Sequence, residues 1–295
     1  MATVNPQIKT LALRPPKAPN QPIAPVDYNQ RFQDQFSNAL RLYFNEIDNF
    51  AQSLATNTGG SLLKFPNGAF HQDGYTTLTT AIPNSSSTAD IVVASTAGFG
   101  EILPGTILIE SELITYTGKT ATTFTGITRS AYGSSGSSHA AGVYVSEAQA
   151  VPSSTSSLAV PFDTTDTSNG VSLDPLDTSK IVFGVAGYYN VQFSIQLINA
   201  TSSIDNATLW FRKNTVDIDY SAGIVSIPSK HAGGIGATII SWNLVVDVDA
   251  GDNIQLMMAS NSGNTVAATY PPGTAPVHPA SPSVILTATF VSALY

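Results

Sequence analysis

Hydrophobic residues recur with helical spacing along one stretch near the N-terminus. In residues 27–58, apolar side chains form two series with a spacing of seven residues, offset from each other by four, as at the a and d positions of a coiled coil. Asp27 is a suitable N-cap, and the Asn-Thr-Gly-Gly run at 57–60 is a stop signal. The pattern predicts an amphipathic helix whose seam is formed by Phe36, Leu40, Tyr43, Ile47, Phe50 and Leu54.

A helix of this length with a narrow apolar seam needs a partner. It either packs on a β-domain of its own chain or forms a parallel coiled coil. Aromatic residues at three successive a positions fit poorly into a two-stranded core, which favours three strands. Three heptads are marginal alone, so a trimeric domain beyond the helix would have to support them. We therefore expect the six seam residues to form a trimer interface.

From residue 61 onward the pattern is that of short β-strands separated by turns. Residues 61–150 contain strand-like runs such as DIVVAST (90–96) and Ser/Gly-rich turns, which predict a small β-domain. Residues 150–158 are typical of a linker. Residues 159–295 show the clearest alternation, as in KIVFGVAGYYNVQFSIQLI (180–198), and predict a β-sandwich or barrel.

Residues 1–26 contain six prolines, which restrict φ and remove amide donors. The segment should be extended, either as a flexible tail or as an arm that becomes ordered on a larger assembly.

Composition excludes several classes of function. Only 11% of residues are charged, the net charge is −8, and the twelve basic residues are thinly spread, so we expect no binding of nucleic acid. The absence of cysteine excludes disulfides, thiolate catalysis and cysteine-ligated metals. No secretory signal and no apolar run of about 18 residues is visible, so we expect no membrane insertion.

Candidate chemistry is weak throughout. Gly118-Lys119-Thr120 lacks the first glycine and the following helix of a phosphate loop, which favours a hairpin. The Gly-Ser-Ser-Gly run at 133–136 lacks the spacing of a nucleophile elbow. The histidines 71, 139, 231 and 278 show no metal-ligand spacing. The aspartates 163, 166, 174 and 177 are able to bind a hard cation in principle, but they lack the Asp-x-Asp-x-Asp-Gly pattern, which favours solvated loop carboxylates. We expect no catalytic, cofactor-binding or metal-binding residues, and no enzyme.

Two long segments of the last block, 228–236 and 261–282, are candidate recognition loops, because binding residues concentrate on loops of rigid sandwiches. Plain connectors or trimer contacts are the alternative. The residues best suited to recognition are His231, Tyr270, Pro272 and His278.

Four stretches of the last block, in this order, resemble the tumour-necrosis-factor and complement-globular-head superfamily. They are GYYNVQFSIQL (187–197), ATLWFRKNTVDI (207–218), VVDVDAGDNIQLMM (245–258) and SVILTATFVSAL (283–294). The resemblance implies a trimeric jelly roll. The expected fold is thus mainly β, with an extended arm (1–26), a trimeric coiled-coil helix (27–58), a small middle β-domain (61–150) and a jelly-roll β-sandwich head (159–295).

The middle block resembles a small β-module of bacteriophage fibre and baseplate-associated proteins. The shared stretches are ELITYTG (112–118), FTGITR (124–129) and HAAGVYV (139–145). A Pro-rich leader followed by a helix, as in residues 14–54, also resembles the virion-docking end of phage fibres.

Together these resemblances imply a structural virion protein, assembled in the host cytoplasm without cofactors. The leading hypothesis is a homotrimeric tail, neck or head fibre that docks on other virion proteins through residues 1–26 and binds a host receptor or glycan. A capsid or collar decoration protein is the first alternative, and a polysaccharide-degrading tailspike is the second.

Overall fold

A computed structural model of the chain describes residues 26–55, 65–83, 87–101, 103–151, 153–232, 234–274 and 276–294, with residues 16, 17, 19, 20 and 23. The chain divides into two units, residues 1–65 and residues 66–295. Among the described residues, the first holds one α-helix and the second holds the strands, so the prediction of a mainly β protein is confirmed.

Helix α1 spans Gln30–Ala55. Its first turn is capped by Asn29, whose side-chain oxygen accepts a hydrogen bond of 3.2 Å from the backbone N–H of Phe32. The prediction of Asp27 as the cap was therefore wrong by two residues, and the predicted stop signal at 57–60 lies outside the described residues. No helix in the described ranges is long and apolar enough to cross a membrane.

The second unit begins with eight strands and a short 3-10 turn at Ala131–Gly133. The strands are β1 (Asn67–Gln72), β2 (Tyr75–Thr77), β3 (Ile91–Val92), β4 (Gly105–Ile109), β5 (Glu112–Tyr116), β6 (Gly118–Lys119), β7 (Thr123–Thr125) and β8 (Tyr144–Ala150).

Fourteen further strands follow. They are β9 (Ser157–Ala159), β10 (Thr164–Asn169), β11 (Val171–Leu173), β12 (Ile181–Phe183), β13 (Gly187–Asn199), β14 (Asp205–Lys213), β15 (Val216–Asp217), β16 (Gly223–Ile227), β17 (Gly236–Val248), β18 (Asn253–Ser260), β19 (Thr265–Ala268), β20 (Gly273–Thr274), β21 (Val277–His278) and β22 (Val284–Ser292).

Two large antiparallel sheets dominate this unit. The ten-stranded sheet has the order β10-β1-β22-β13-β19-β8-β4-β5, with β17 paired to β13 and β2 paired to β8. The seven-stranded sheet has the order β11-β12-β18-β14-β15, with β16 paired to β14 and β9 paired to β18. Strand β13 is the centre of the first sheet, because β17 pairs with its whole length while β22 and β19 share its other edge.

The main hydrophobic core lies between these two sheets. Alternate residues of β13, among them Tyr189 and Phe193, point into it and are buried. The Phe193 ring meets Phe211 of the opposite sheet edge-on, with ring centroids 5.6 Å apart. Burial of each such side chain contributes on the order of 1.5–3 kcal/mol, so the alternation along β13 stabilises the sandwich.

A second core lies wholly within residues 78–145 and is built around Phe124, which contacts both Tyr116 and Phe99. A third, smaller cluster joins Leu108 and Leu113 to residues of β13 and β19. The middle segment therefore has a core of its own but also packs on the sandwich.

The two β-regions share one sheet, which differs from the predicted boundary at 150–158. Strand β8 pairs with β4 on one edge and with β19 on the other. Strand β1, which the sequence assigned to the middle region, pairs with β10 and β22 of the sandwich. The period-two pattern identifies strands but not which strands pair with each other. Hydrogen bonds between strands join backbone N–H and C=O groups, which every sequence has, so the pairing was not predictable.

Candidate functional site

The predicted trimer seam lies along one face of α1. Phe36, Leu40, Tyr43, Ile47 and Phe50 are all half-buried, whereas the remaining side chains described on the helix are exposed apart from Phe32 and Ala39. The rings of Phe32 and Phe36 stack with centroids 6.2 Å apart. The side chain of Leu54 lies outside the described residues. No described side chain of this stripe is fully buried, so the helix presents an apolar face that is available to a partner.

A second such surface is the outer face of strands β17, β13 and β22. We call it the outer face, and its members are Tyr188, Asn190, Gln192, Ser194, Gln196, Ala237, Ile239, Ser241, Asn243, Val245, Asp247, Ile285, Thr287 and Thr289. Asp247, at one end, is the one charged residue in this set. Ile239, Val245 and Ile285 are large apolar residues that are exposed. Surfaces that become the core of a protein interface are typically depleted in charge in this way.

Polar groups of the outer face are held by the sheet itself. The Asn243 amide donates a 2.7 Å hydrogen bond to the side-chain oxygen of Asn190, a diagonal neighbour on β13, where Asn243 itself is paired with Gln192. This bond orients two amides of the face without any contribution from a partner.

Two of the four predicted recognition residues come together at the end of this face. A groove of about 490 Å³ is lined by Gln196, Leu197, Ala237, Thr238, Ile239, Tyr270, His278 and Ser281. Pro272 lies in the same loop but does not line the groove, and His231 is exposed in a separate turn closed by its bridge to Gly234. The structure thus unites Tyr270 with His278 and leaves the other two residues outside.

The loop that carries Tyr270 and His278 is anchored at both ends. Backbone hydrogen bonds of 2.9 and 2.8 Å join Tyr270 to Ser281, and the Gln196 amide donates to the Ser281 hydroxyl and the Pro282 carbonyl, both at 2.6 Å. The His278 ring donates from Nδ1 to the Pro279 carbonyl at 2.8 Å. Burial raises the pKa of the Tyr270 phenol, which keeps it neutral. The groove therefore offers an aromatic ring, an amide and hydroxyl groups.

The motif residues of the middle region meet in a buried ion-pair network. Arg129 donates from Nε and Nη2 to the two oxygens of Glu112, both at 2.6 Å. His139 donates from Nε2 to Glu112 at 2.8 Å, and its Nδ1 lies 2.7 Å from a carboxylate oxygen of Glu110. Backbone N–H groups of Ser130 and Ser137 also donate to Glu112. The network closes the turns at 130–139 onto the β4–β5 hairpin.

Burial by itself would raise the pKa of Glu112, but the bonds from Arg129, His139 and the two amides outweigh it and lower the pKa to about 2. The three charged residues stand in the three stretches that carry the resemblance to phage modules, yet their spacing of 17 and 10 residues gave no signal that they meet. Their side chains are closed off from solvent, so this network is structural.

A second cavity was not foreseen from the sequence. It has a volume of about 410 Å³ and lies beside β8, where Glu147 and Asp163 line it. Burial raises the pKa of Glu147 to about 8 and also raises the pKa of Asp163. The two carboxyl groups are close enough for a hydrogen bond, closer than the roughly 5 Å that separates the paired carboxylates of a retaining glycosidase.

The other residues considered for metal or phosphate binding do not form a site in the structure. Asp166 bonds to His71, Asp174 accepts from the Leu176 amide, and Asp177 bonds to Ser179, so they do not gather round Asp163. Gly118 and Lys119 form strand β6. No group of three or more metal-ligating side chains is arranged to hold an ion within the described ranges.

No model of a known protein family matches the chain, and comparison with curated proteins finds no similar sequence. Functional inference therefore depends on the surfaces and cavities described above.

Proposed function

We propose that the protein is a non-enzymatic structural protein of a bacteriophage particle, a homotrimeric fibre or spike that attaches the particle to its host. The observation that carries the trimer is that one chain has two exposed surfaces suited to a partner, the apolar helical stripe and the outer face, which is almost free of charge. The virion context is supported by the resemblance of residues 112–145 to phage modules.

The strand order supports a jelly-roll head. In one sheet β1, β22, β13 and β17 are neighbours in that order, and in the other β12, β18, β14 and β16 are neighbours. All these pairs are antiparallel. This arrangement of eight strands in two sheets is the one expected of the paired Greek keys of a jelly roll, and it supports that proposal.

The helical stripe and the outer face support assembly in threes. On α1, the a positions of the seam are Phe36, Tyr43 and Phe50, which need a wider core than two helices provide. The outer face supplies a much larger area in which uncharged polar groups surround Ile239 and Val245. Since three heptads are marginal alone, the head would hold the helices together.

The groove at Tyr270 and His278 supports attachment to a neutral, hydroxyl-rich ligand such as a surface glycan. Its side chains supply an aromatic ring, a carboxamide and hydroxyl groups, and its described lining contains no carboxylate. A trimer carries three such grooves on one rigid head. Weak binding at each groove becomes useful attachment through avidity.

The decisive experiment is the solution mass of the purified chain, measured by light scattering together with a truncation that lacks residues 1–60. We expect three times the chain mass of 30.8 kDa for the full-length protein, about 92 kDa. A trimeric truncation would identify the head as the main trimerising unit, and a monomeric one would identify the helix. A full-length monomer would overturn the proposal of a homotrimer.

Binding of the truncated head to intact bacterial cells tests attachment separately. Saturable binding that a cell-surface glycan extract competes away supports a receptor-binding fibre. A trimer that binds to purified virions lacking it, but not to cells of the strain on which those virions grow, would instead indicate the decoration protein.

A further inference from the structure

The cavity beside β8 contains acceptors without donors. Glu147 is almost completely buried, and its Oε1 accepts a 2.8 Å hydrogen bond from the Gly100 amide. Its Oε2 is buried and accepts no hydrogen bond from a donor of the described residues, and the group within hydrogen-bond reach of this carboxyl is the carboxyl of Asp163. Two carboxyl groups can bond to each other only while they share a proton, so a ligand that brings its own donors to this pair can take the place of that proton.

A second acceptor in the same cavity is also unpaired. Gln149 is nine-tenths buried, and its amide nitrogen donates to the side-chain oxygen of Gln72 and to the Pro161 carbonyl at 3.0 Å. These two acceptors fix the orientation of the amide, so its oxygen is turned away from them, and that oxygen has no partner. Residues 147 and 149 are two apart on β8 and therefore present both acceptors on one face of the strand.

The loops around Glu147 are shaped to its carboxylate. A Cβ added at Gly74 would lie 2.6 Å from Oε2 and 2.0 Å from the Gly98 carbonyl, and one added at Gly100 would lie 3.0 Å from Oε1. Because glycine has no side chain, both loops approach the carboxyl group of Glu147 closely and fix its position.

The cavity is acidic on one side and apolar on the other. Its described lining includes three carboxyl groups, those of Glu101, Glu147 and Asp163, and no basic side chain. Leu103, Phe162 and Leu158 supply the apolar wall. The nearest ammonium group, that of Lys119, is already bonded to the Phe99 carbonyl and to Glu101. An incoming ligand that fits this lining carries positive charge, hydrogen-bond donors and an aliphatic part.

We propose that this cavity binds a primary ammonium group on an aliphatic stem. An ammonium has three N–H donors and no acceptor, and the cavity offers Glu147 Oε2, Gln149 Oε1 and the Asp163 carboxylate as three acceptors. A bare divalent ion fits less well, because no group of three metal-ligating side chains is present among the described residues. The ammonium comes either from a lysine side chain of another virion protein or from a free aliphatic amine.

Binding should release a proton. Without a ligand, burial and the neighbouring Asp163 keep the Glu147 carboxyl protonated at neutral pH, with a pKa of about 8. The charged groups facing this pair are Lys119 near Glu147 and Asp73 with His71 near Asp163. A bound cation favours the ionised carboxylate, so Glu147 loses its proton and affinity rises with pH up to about 8.

Isothermal titration of the full-length protein with n-butylammonium chloride tests the proposal, with N-acetyl-lysine amide as the second ligand and 1-butanol as the neutral control. Two buffers of different ionisation enthalpy, neither a primary amine, measure proton release. We expect saturable binding of both amines, none of butanol, and affinity about fiftyfold higher at pH 8 than at pH 6, because the ionised fraction of a carboxyl group with a pKa of about 8 rises from about 1% to about 50%. Tighter binding of the lysine derivative indicates a partner's lysine, and tighter binding of butylammonium indicates a free amine.

Glu147→Gln keeps the acceptor for the Gly100 amide and removes the charge, so we expect at least a tenfold loss of affinity. Asp219→Asn, which removes one charge from an exposed loop, is the matched control and should bind as the original chain does. Equal binding of butanol, unchanged affinity in Glu147→Gln, or binding of calcium chloride in place of the amines would each overturn the proposal. If the variant does not fold, the proton release measured on binding of butylammonium to the unaltered protein is the test, and binding without proton release would overturn the proposal.

Discussion

Arg129 and Glu112, 17 residues apart in sequence, form a two-bond ion pair with both N–O distances at 2.6 Å, and both side chains are buried. Desolvation of two charges offsets much of their attraction, so such a pair adds little net stability over an apolar pair of the same shape. Removal of one partner is different, because the other charge is then left buried alone.

We therefore expect Glu112→Gln to lower the free energy of unfolding by about 3–5 kcal/mol, measured by urea denaturation. Glu110→Gln is the control, since this carboxylate also contacts His139 but is half exposed, and should cost less than about 1 kcal/mol. Equal effects of the two substitutions would show that the buried pair does not hold the middle region together.

The two buried carboxyl groups give stability opposite pH dependences. The folded pKa of Glu112 is lowered from 4.5 to about 2, so its contribution is present above pH 4.5 and is lost as the pH falls toward 2. The folded pKa of Glu147 is raised to about 8, so the folded state binds the extra proton and loses stability as the pH rises from 4.5 to 8. Stability should therefore be greatest near pH 4–5 as far as these two groups decide it.

Glu147→Gln should remove the decline above pH 4.5, because the amide does not ionise. We expect the melting temperature of the variant to vary less than that of the unaltered chain between pH 5 and pH 8, and to exceed it at pH 8. Melting followed by circular dichroism measures both. An identical slope in the two proteins would mean that Glu147 is ionised throughout this range.

A charge on the outer face should block assembly of the head. Val245 is 56% exposed on this face, and Val245→Asp would place a carboxylate in the proposed interface. We expect the mass of the truncation that lacks residues 1–60 to fall from that of a trimer to that of a monomer. Ile224→Asp is the matched control on the opposite sheet, where Ile224 is 74% exposed, and should leave the mass unchanged.

Adjacent residues of α1 test the helical seam in the same way. Tyr43 lies on the half-buried stripe, whereas its neighbour Phe44 is exposed on another face. We expect Tyr43→Glu to weaken the trimer of the full-length chain, seen as a lower mass on dilution, and Phe44→Glu to have no effect. The reverse result would place the interface on the other face of the helix.

Tyr270→Ala should weaken attachment, because the groove loses its aromatic surface. On a trimeric head the loss is multiplied over three grooves, so we expect cell binding to fall by at least about tenfold. His231→Ala, in the exposed turn that does not line the groove, should bind as the unaltered head does. Binding in which the His231 variant is the weaker one would move recognition to that turn.

The sequence predicted those elements whose signal is periodic. The seven-residue spacing of α1 and the alternation along β13 each reflect which side of one element is apolar, and that information is local. The cap was misplaced because Asp27 and Asn29 are both good caps, and the backbone selects between them. Expectations about the trimer seam, the virion and the receptor remain predictions.

The buried polar sites were beyond local reasoning. Glu147 stands in YVSEAQA (144–150), which reads as an ordinary strand, and only the approach of residues 74 and 98–100 makes its carboxyl group special. The buried network of Glu112 was not predictable either, because Arg129 and His139 reach this residue from turns that come later in the sequence. A glutamate and a glutamine two residues apart inside an otherwise apolar or small-residue strand was the one clue, because such residues seldom face a core.

Strand β8 has a mechanical consequence. Its ladder bonds run to β4 on one edge and β19 on the other, so the middle region and the sandwich meet through a continuous sheet. Rotation of the middle region against the sandwich would therefore require several hydrogen bonds of the sheet to break together, whereas a flexible linker would allow it without breaking any. A force applied to the middle region of residues 66–295 is therefore carried to the sandwich by the hydrogen bonds of this sheet.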